Sequence, residues 1–396
     1  MKPAIVLSAY NRPQALERLL ASLQKAAYPA EGGIPLVISI DGGKNGIHPE
    51  VRNVAEQFVW PFGPKEVLCH ERHLGLVGHV LFCGGLTGTY GDVIFLEDDL
   101  LVSPVFYAYA TQALDFYRDD ERIAGLCLYA LWFNGYTQQP FVPLADDGDS
   151  FFVQIPYTQG QAFTAGQWQS FLAWRDSGNR RLTPADTRSV HEAFFHFDAE
   201  EWFPLSAKYA ADTSRYTVYP RVSLTTGAGD AGTHFAGRSV FFQTPLQRFK
   251  TLYEFRTLDD SVAVYDSFFE ILPERLNRLC NALSDVGYDV DLYATKAPRN
   301  LQAEYVLTTR LCRKTIRSFG QAMWPMEANV IDGAPGTEIS LCRREDLRWD
   351  WLAELEARKR NHDFFTRRRH PSRKLRLQFA LLDWLQAARR RLGRNP

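Results

Sequence analysis

The sequence predicts an α/β fold in which helices cover both faces of a mostly parallel sheet. Two observations indicate this class. Apolar runs of strand length alternate with helically spaced apolar residues over about the first 130 residues, and polar residues follow the strongest of those runs. Parallel strands share one edge of a sheet at their carboxyl ends, and open α/β sheets bind ligands there. We therefore expect a ligand site at that edge.

Strand and helix signals alternate in order from the start of the chain. Each predicted strand is an apolar run, and each predicted helix has apolar residues three or four positions apart, as in the leucine-rich segment 16–23. Asn11 is expected to cap the first helix. The strands are predicted at 4–9, 36–40, 67–69, 93–96 and 123–128, and the helices after residue 11 and at 51–60, 76–86 and 106–116.

The local composition of the sequence changes after about residue 129. Proline and glycine punctuate short aromatic segments, which is typical of loops that shape a pocket. Further helices are predicted at 167–175, 200–211 and 273–283, and further strands at 304–308 and 338–341. We expect a main domain at 1–236 with halves at 1–130 and 131–236, a C-terminal α+β accessory region at 237–356, and a basic tail at 357–396.

Composition places the chain among ordinary globular proteins. Of its 396 residues 45% are hydrophobic and 23% charged. The six cysteines are scattered without a CxxC pair, which argues against a zinc site or a disulfide scaffold and fits a reducing compartment. The N-terminal apolar run is too short for a signal peptide, and no segment approaches the ~20 apolar residues of a membrane span. We expect a cytoplasmic protein.

The charge is unevenly distributed. Residues 358–396 hold 13 Lys and Arg against two acids, a net +11, which leaves −12 for the rest of a chain of net charge −1. The same tail carries apolar residues at helical spacing: Leu375, Phe379, Leu382 and Leu385, with Trp384 beside them. A basic amphipathic helix can lie on an anionic membrane surface, so a peripheral position at the inner face of the membrane is one interpretation. A docked or solvated helix is the alternative, and no nucleic-acid-binding fold accompanies the basic residues.

An acidic run stands at the end of the strand predicted at 93–96. Glu97, Asp98 and Asp99 would lie at the carboxyl edge of the sheet, where clustered carboxylates are costly unless a cation compensates them. Their oxygen atoms suit Mg²⁺ or Mn²⁺. A solvated acidic turn is the alternative. Neither a GxGxxG nor a P-loop motif follows the first strand, so a phosphate-bearing ligand would be held by side chains and a metal ion.

Three motifs in order resemble the GT-A class of nucleotide-sugar glycosyltransferases, family 2 type. They are Ser-Ala-Tyr-Asn-Arg-Pro at 8–13, Ser-Ile-Asp-Gly-Gly at 39–43 and Glu-Asp-Asp at 97–99, the last being similar to the motif of the N-acetylglucosaminyltransferase I family. The resemblance implies a Rossmann-like GT-A sheet and a metal-bound donor. It implies Asp99 as a metal ligand, and donor contacts from Asn11, Arg12, Asp41, Glu97, Asp98 and, upstream of the acidic strand, His79.

The resemblance to the N-acetylglucosaminyltransferase I family extends further along the chain. The aromatic segments between 151 and 168 resemble its donor- and acceptor-facing part, and the acids before Trp202 resemble the pair that carries its catalytic base. This implies Glu201 as the base, with Glu200 and then Asp198 next in line; acids that complement a helix dipole are the alternative. Residues 227–234 resemble a loop over the donor, and His234 is a candidate metal or phosphate contact or else a surface histidine.

Taken together, the resemblance implies a metal-dependent, inverting glycosyltransferase that uses Mn²⁺ or Mg²⁺. The expected donor is a nucleoside diphosphate sugar, with UDP as the nucleotide, and the expected acceptor is a cell-surface glycan or a lipid-linked saccharide. A sugar nucleotidyltransferase is one alternative, although that class resembles a Gly-rich first loop that residues 10–13 do not supply. A non-catalytic binding protein of the same fold is the other; loss of the acids would favour it, and the acids are present.

Overall fold

The computed structural model describes residues 2–43, 46–230, 240, 242–349, 352, 355 and 373–391. The chain forms two compact units, one of Met1–Leu131 and Ala145–Ser267 and one of Trp132–Leu144 and Phe268–Pro396. The predicted division at residues 236 and 356 stays a prediction.

The first unit contains seven α-helices and eleven strands among its described residues. The helices are α1 (Pro13–Gln24), α2 (Pro49–Gln57), α3 (Gly75–Gly85), α4 (Thr87–Tyr90), α5 (Phe106–Phe116), α6 (Ala165–Asp176) and α7 (Trp202–Asp212). The strands are β1 (Ala4–Ala9), β2 (Leu36–Ile40), β3 (Lys65–Cys69), β4 (Asp92–Glu97), β5 (Leu100–Val102), β6 (Ile123–Cys127), β7 (Ser150–Val153), β8 (Gln161–Thr164), β9 (Tyr216–Pro220), β10 (Thr225–Gly227) and β11 (Val264–Tyr265).

Nine of these strands form one mostly parallel sheet in the order β11-β7-β9-β6-β8-β4-β1-β2-β3, which confirms the predicted α/β class. The run β4-β1-β2-β3 is parallel throughout, whereas β8 is antiparallel to both of its neighbours and β7 is antiparallel to β9. Helices cover the sheet, so the side chains of the central strands are buried on both faces and their sequences are almost continuously apolar. That burial is why their positions could be predicted from composition.

The register of the parallel strands aligns their carboxyl ends. Ser8 of β1 is paired with Ser39 of β2 on one side and with Glu97 of β4 on the other. The residues that follow these strands therefore emerge side by side at one edge of the sheet. This edge, called the carboxyl edge below, carries the candidate site.

Several helix boundaries differ from the predicted ones, and the differences at two of them have a visible cause. Asn11 does not cap α1, because Arg12 occupies the N-cap position and Pro13 opens the helix with no N–H to satisfy. α2 ends at Gln57 rather than near residue 60, since the ammonium group of Lys65 donates to the carbonyl oxygens of Ala55, Glu56 and Phe58 and so closes the last turn.

The second unit has a four-stranded sheet in the order β12-β13-β15-β14, with three described helices. The helices are α8 (Pro273–Leu279), α9 (Met326–Ile331) and α10 (Arg373–Arg391), and the strands are β12 (Tyr288–Asp291), β13 (Tyr305–Thr308), β14 (Arg317–Phe319) and β15 (Ile339–Arg343). The mixed α+β character expected beyond residue 237 is present in this unit.

One face of α10 packs within the second unit. Phe379 and Leu382 are buried together with Leu352 and Leu355. The apolar positions that suggested a membrane-facing stripe are therefore covered, at least at these two residues, by the chain itself. Along the stretches that the structure describes, no helix is both long and apolar enough to cross a bilayer.

The contact between α3 and α6 yields a first prediction. A Cβ on Gly84 would lie 2.1 Å from a ring carbon of Trp168, whereas a Cβ on the adjacent Gly85 would meet open space. Gly84→Ala should therefore lower the free energy of unfolding by about 1–3 kcal/mol, the usual cost of overpacking a core. Gly85→Ala should be neutral or stabilising by up to about 1 kcal/mol. Urea denaturation of both variants measures this, and equal midpoints would contradict it.

Candidate active site

A single arginine joins two strand ends at the carboxyl edge. The guanidinium of Arg12, in the turn after β1, donates one hydrogen bond to Asp98 and another of 2.9 Å to Asp99, in the turn after β4. The backbone N–H of Asp98 also donates to the carbonyl of Ser8. The Asp98 side chain is only 3% exposed and that of Asp99 is 32% exposed. The two adjacent acids thus differ: one is a buried anchor and the other faces solvent.

Glu97 completes the acidic cluster. Burial, together with the charges of Asp99 and Asp98, raises its pKa to about 8, although the hydroxyl of Thr158 bonds to it. Burial also raises the pKa of Asp98 to about 6, against the opposing effect of Arg12. Carboxyl groups whose pKa is raised by burial, at the edge where α/β sheets bind ligands, are typical of functional sites.

Asp41, after β2, is held by the helix that faces it. Its carboxylate accepts the backbone N–H groups of Leu74 and Gly75, at 2.7 and 3.0 Å, at the start of α3. Nδ1 of His73 also lies 3.0 Å from this carboxylate. A carboxylate at a helix N-terminus satisfies unpaired N–H groups and complements the dipole. Asp41 therefore fixes the position of α3 on the sheet.

His79 lies below the edge in the core. Its Nε2 is 2.8 Å from the hydroxyl of Ser39, and the same hydroxyl is 2.9 Å from Nε2 of His70. Burial lowers the pKa of His79 to about 4, so it is neutral at pH 7. His79 is therefore placed to orient Ser39 and His70, while its predicted role as a donor contact stays a prediction.

Two aromatic rings lie at the edge, Tyr10 of the first motif and His73, which was not predicted. Tyr10 and His73 lie with ring centroids 5.4 Å apart at an interplanar angle of 33°, and both are partly open to solvent. Thr158, which hydrogen-bonds to Glu97, and Arg18, which pairs with Asp230 in the loop after β10, were not among the candidate site residues. His70 and His73 could have been predicted from the strand pattern. β3 is parallel to β2 and ends at Cys69, so the residues that follow it leave the sheet at the same edge as the other predicted residues.

The loop after β10 reaches the acidic cluster. The backbone N–H of Ala228 donates a 2.8 Å hydrogen bond to the carbonyl of Asp99, and Asp230 forms an ion pair with Arg18 of α1. The first residues of the expected donor loop thus lie against Asp99. His234, the second candidate metal ligand, lies outside the described residues.

The candidate base stands on a separate segment. Glu201 is the N-cap residue of α7 and is partly buried, while Glu200 and Asp198 are exposed. Asp198 organises the turn, since its side chain accepts the N–H of Glu200 and its carbonyl accepts the N–H of Glu201. α7 leads directly into β9, which runs parallel to β6, so the helix runs opposite to these strands and its N-terminus points toward the carboxyl edge.

The acidic cluster can be compared with the needs of a divalent cation. Among the residues the structure describes, no group of three or more His, Cys, Asp and Glu is arranged to hold a metal ion. Mg²⁺ commonly uses only one or two protein carboxylates and takes its other ligands from water and phosphate. Asp99, the more exposed of the two acids, is the residue that would hold such a cation.

Comparison with known proteins leaves the family open. No protein-family model and no curated protein sequence matches the chain. The structures that resemble it include S. aureus TarS 1-349, with a TM-score of 0.36 and 14% identity over 58% of this chain and 61% of that one. The same protein in complex with UDP-GlcNAc has a TM-score of 0.35 and 16% identity over 61% of this chain and 62% of that one. Mannosyltransferase PcManGT from Pyrobaculum calidifontis, with GDP-Man and Mn2+, has a TM-score of 0.35 at 15% identity over 56% of this chain and 55% of that one. The chain thus spans less than two thirds of these proteins.

The Arg12 bridge yields a second prediction. Arg12→Met leaves the buried Asp98 charge without its partner, which should lower the free energy of unfolding by about 3 kcal/mol, the lower end for a broken buried pair. Adding Asp98→Asn removes the stranded charge and should restore at least half of the loss. Urea denaturation at pH 7 measures both. Arg52→Met, which breaks an exposed pair with Glu56, is the control and should change little. A double variant no more stable than Arg12→Met would contradict this explanation.

Proposed function

We propose that this protein is a metal-dependent glycosyltransferase that takes a sugar from a nucleoside diphosphate donor, with UDP as the expected nucleotide. The observation that carries the proposal is the Arg12–Asp98–Asp99 bridge at the carboxyl edge of the parallel strands. It brings together the first and third sequence motifs, and the parallel pairing of β1 with β2 brings the second beside them. The resemblance of these motifs to GT-A transferases is thereby supported by their placement.

The donor would be held mainly by charge at this edge. Asp99 would share a divalent cation with the diphosphate, and that cation would neutralise the charge that develops on the leaving nucleotide. Arg12, released from Asp99, remains within reach as a second cationic group for the phosphates. Tyr10 and His73 offer exposed ring faces on which a nucleobase could stack. Asp98 would stay in place and orient Arg12.

The acceptor would lie toward the N-terminus of α7. An inverting transfer requires a carboxylate that removes the proton of the acceptor hydroxyl on the side opposite the departing nucleotide. Glu201 is the proposed base because it is the partly buried acid of the three, whereas Glu200 and Asp198 are exposed. Its backbone is fixed by the N-cap position, which suits a group that must hold one orientation.

A substrate screen tests the class of reaction. The protein is incubated with a panel of UDP and GDP sugars and Mn²⁺, and released nucleoside diphosphate is measured. Slow hydrolysis or transfer supports the proposal. Release of pyrophosphate from a nucleoside triphosphate and a sugar 1-phosphate would indicate a nucleotidyltransferase instead. Binding without turnover of any donor, glycan acceptors included, would indicate a binding protein.

The role of Asp99 yields a third prediction. Asp99→Asn should lower turnover at least ~100-fold and weaken Mn²⁺-dependent UDP binding, because a ligand to the cation is lost. Isothermal titration of UDP with and without Mn²⁺ gives a readout that is independent of turnover. Asp115→Asn on the exposed side of α5 is the matched control and should behave as wild type. Full activity in excess EDTA would overturn the metal requirement.

The role of Glu201 yields a fourth prediction. Glu201→Gln should lower kcat by ~10²–10⁴ while UDP affinity stays near wild type, because the acid acts in the proton transfer and not on the donor. Glu200→Gln changes the neighbouring, exposed acid in the same way and should do less. Steady-state transfer and calorimetric UDP binding are compared for the two variants. A larger effect at Glu200 would move the base by one residue, and no effect at either would place it elsewhere, with Asp198 next.

We further propose that an anionic membrane surface is a partner, which suits a lipid-linked acceptor. With Phe379 and Leu382 packed inside, the second face of α10 presents Leu377, Leu381 and Trp384, which are 68%, 49% and 66% exposed. Arg373, Lys374 and Arg376 on the same helix are also exposed. Apolar residues beside basic ones are the pattern of a helix that inserts into an anionic leaflet.

This surface yields a fifth prediction. Replacing Leu377, Leu381 and Trp384 together by Ser should weaken binding to phosphatidylglycerol vesicles at least ~10-fold without affecting folding, because the three side chains are exposed. Phe249→Ser with Leu252→Ser, two exposed residues of the first unit, is the control. Cosedimentation with the vesicles measures the effect. Equal sedimentation of wild type and triple variant would show that the helix serves another purpose.

A further inference from the structure

Two of the six cysteines meet in the second unit. The Sγ atoms of Cys312 and Cys342 lie 2.7 Å apart, although 30 positions separate the two residues in the chain. Cys342 is buried on β15, and Cys312 is partly exposed in the segment between β13 and β14. Such a spacing has no sequence signature, and the scattered cysteines predicted no pairing.

Backbone hydrogen bonds on both sides hold the two thiols against each other. Cys342 lies in β15 opposite Val306 of β13. Around Cys312, the N–H of Arg313 donates to the carbonyl of Asp346, and the N–H of Arg348 donates to the carbonyl of Leu311. The approach of the sulfur atoms is therefore set by the sheet and by this bridge between segments, and not by a chance rotamer at an exposed position.

We propose that Cys312 and Cys342 form a redox-active dithiol that closes to an intramolecular disulfide when it meets a small-molecule disulfide such as oxidised glutathione. A disulfide forms without movement of the backbone only where the two side chains already approach each other closely, and the Sγ atoms of this pair are 2.7 Å apart. The proposal does not depend on the donor, the metal ion or the acceptor of the proposed transferase.

The two thiols have different parts in the exchange. The hydrogen bond to Cys342 lowers the pKa of Cys312, and the same bond, with burial, raises the pKa of Cys342. Cys312 is also the more accessible of the two. The attacking group in thiol–disulfide exchange is a thiolate, so Cys312 is the attacking residue and Cys342 the resolving one.

The exchange proceeds in two balanced steps. The Cys312 thiolate attacks one sulfur of oxidised glutathione, which forms a mixed disulfide and releases one glutathione thiolate. Cys342 then attacks the Cys312 sulfur, the protein disulfide forms, and a second glutathione leaves with the proton of the Cys342 thiol. Two protein thiols are oxidised and one glutathione disulfide is reduced to two thiols.

The experiment uses the full chain and glutathione as the probe. The reduced protein is incubated with oxidised glutathione, quenched with N-ethylmaleimide, and digested without reductant for mass spectrometry. We expect a peptide pair linked through Cys312 and Cys342, and four reactive thiols in denaturant where the reduced protein has six. The oxidised form should also melt at a higher temperature than the reduced one, because the crosslink constrains the unfolded chain.

Three variants separate the outcomes. Cys342→Ser should accumulate the glutathione adduct on Cys312, and Cys312→Ser should remain unmodified at Cys342. Cys280→Ser, at another partly exposed cysteine, is the matched control and should form the link as wild type does. Persistence of six free thiols, a link through any other cysteine, or a stable glutathione adduct on the wild-type protein would each overturn the proposal. Because none of these readouts uses turnover, failure here leaves the proposed transferase untouched.

Discussion

The arrangement of the site depends on one electrostatic constraint, which is that two adjacent carboxylates stand at the end of a buried strand with a single guanidinium between them. Arg12 compensates Asp98, which water scarcely reaches, and so joins the turn after β1 to the turn after β4. The remaining charge repulsion and the burial of this cluster raise the pKa of Glu97. The start of α1 and the loop at Ala228 are both positioned around this cluster.

The sequence predicted the half of the fold whose signals are local. β1, β2 and β4 are buried on both faces, so their composition alone marks them, and the polar residues after them had to meet at one edge. β5, β7, β8 and β10 are three or four residues long, and partners elsewhere in the chain decide their pairing. No window of sequence contains that information. His70 and His73 could have been predicted by extending the same edge argument to β3.

Asp41 shows why the position of a residue is easier to predict than its function. Its position at the end of β2 follows from the strand pattern, but its carboxylate is already engaged by the first N–H groups of α3. A role toward a nucleotide would have to coexist with that structural one. The same holds for the surface of the tail helix. Phe379 and Leu382 are buried in a cluster with Leu352 and Leu355. Helical periodicity alone could not predict which apolar face of the helix would be covered.

The central place of the antiparallel strand β8 has a consequence for how the chain assembles during synthesis. All four strands of the parallel run β4-β1-β2-β3 have been made once residue 97 has been synthesised, so this part of the sheet can pair before the rest of the chain exists. The outer edge of β4, however, pairs with β8, which ends at Thr164. Until that strand leaves the ribosome, an apolar strand carries an open row of backbone donors and acceptors. The nascent chain is therefore most exposed to edge-to-edge association between the translation of these two strands.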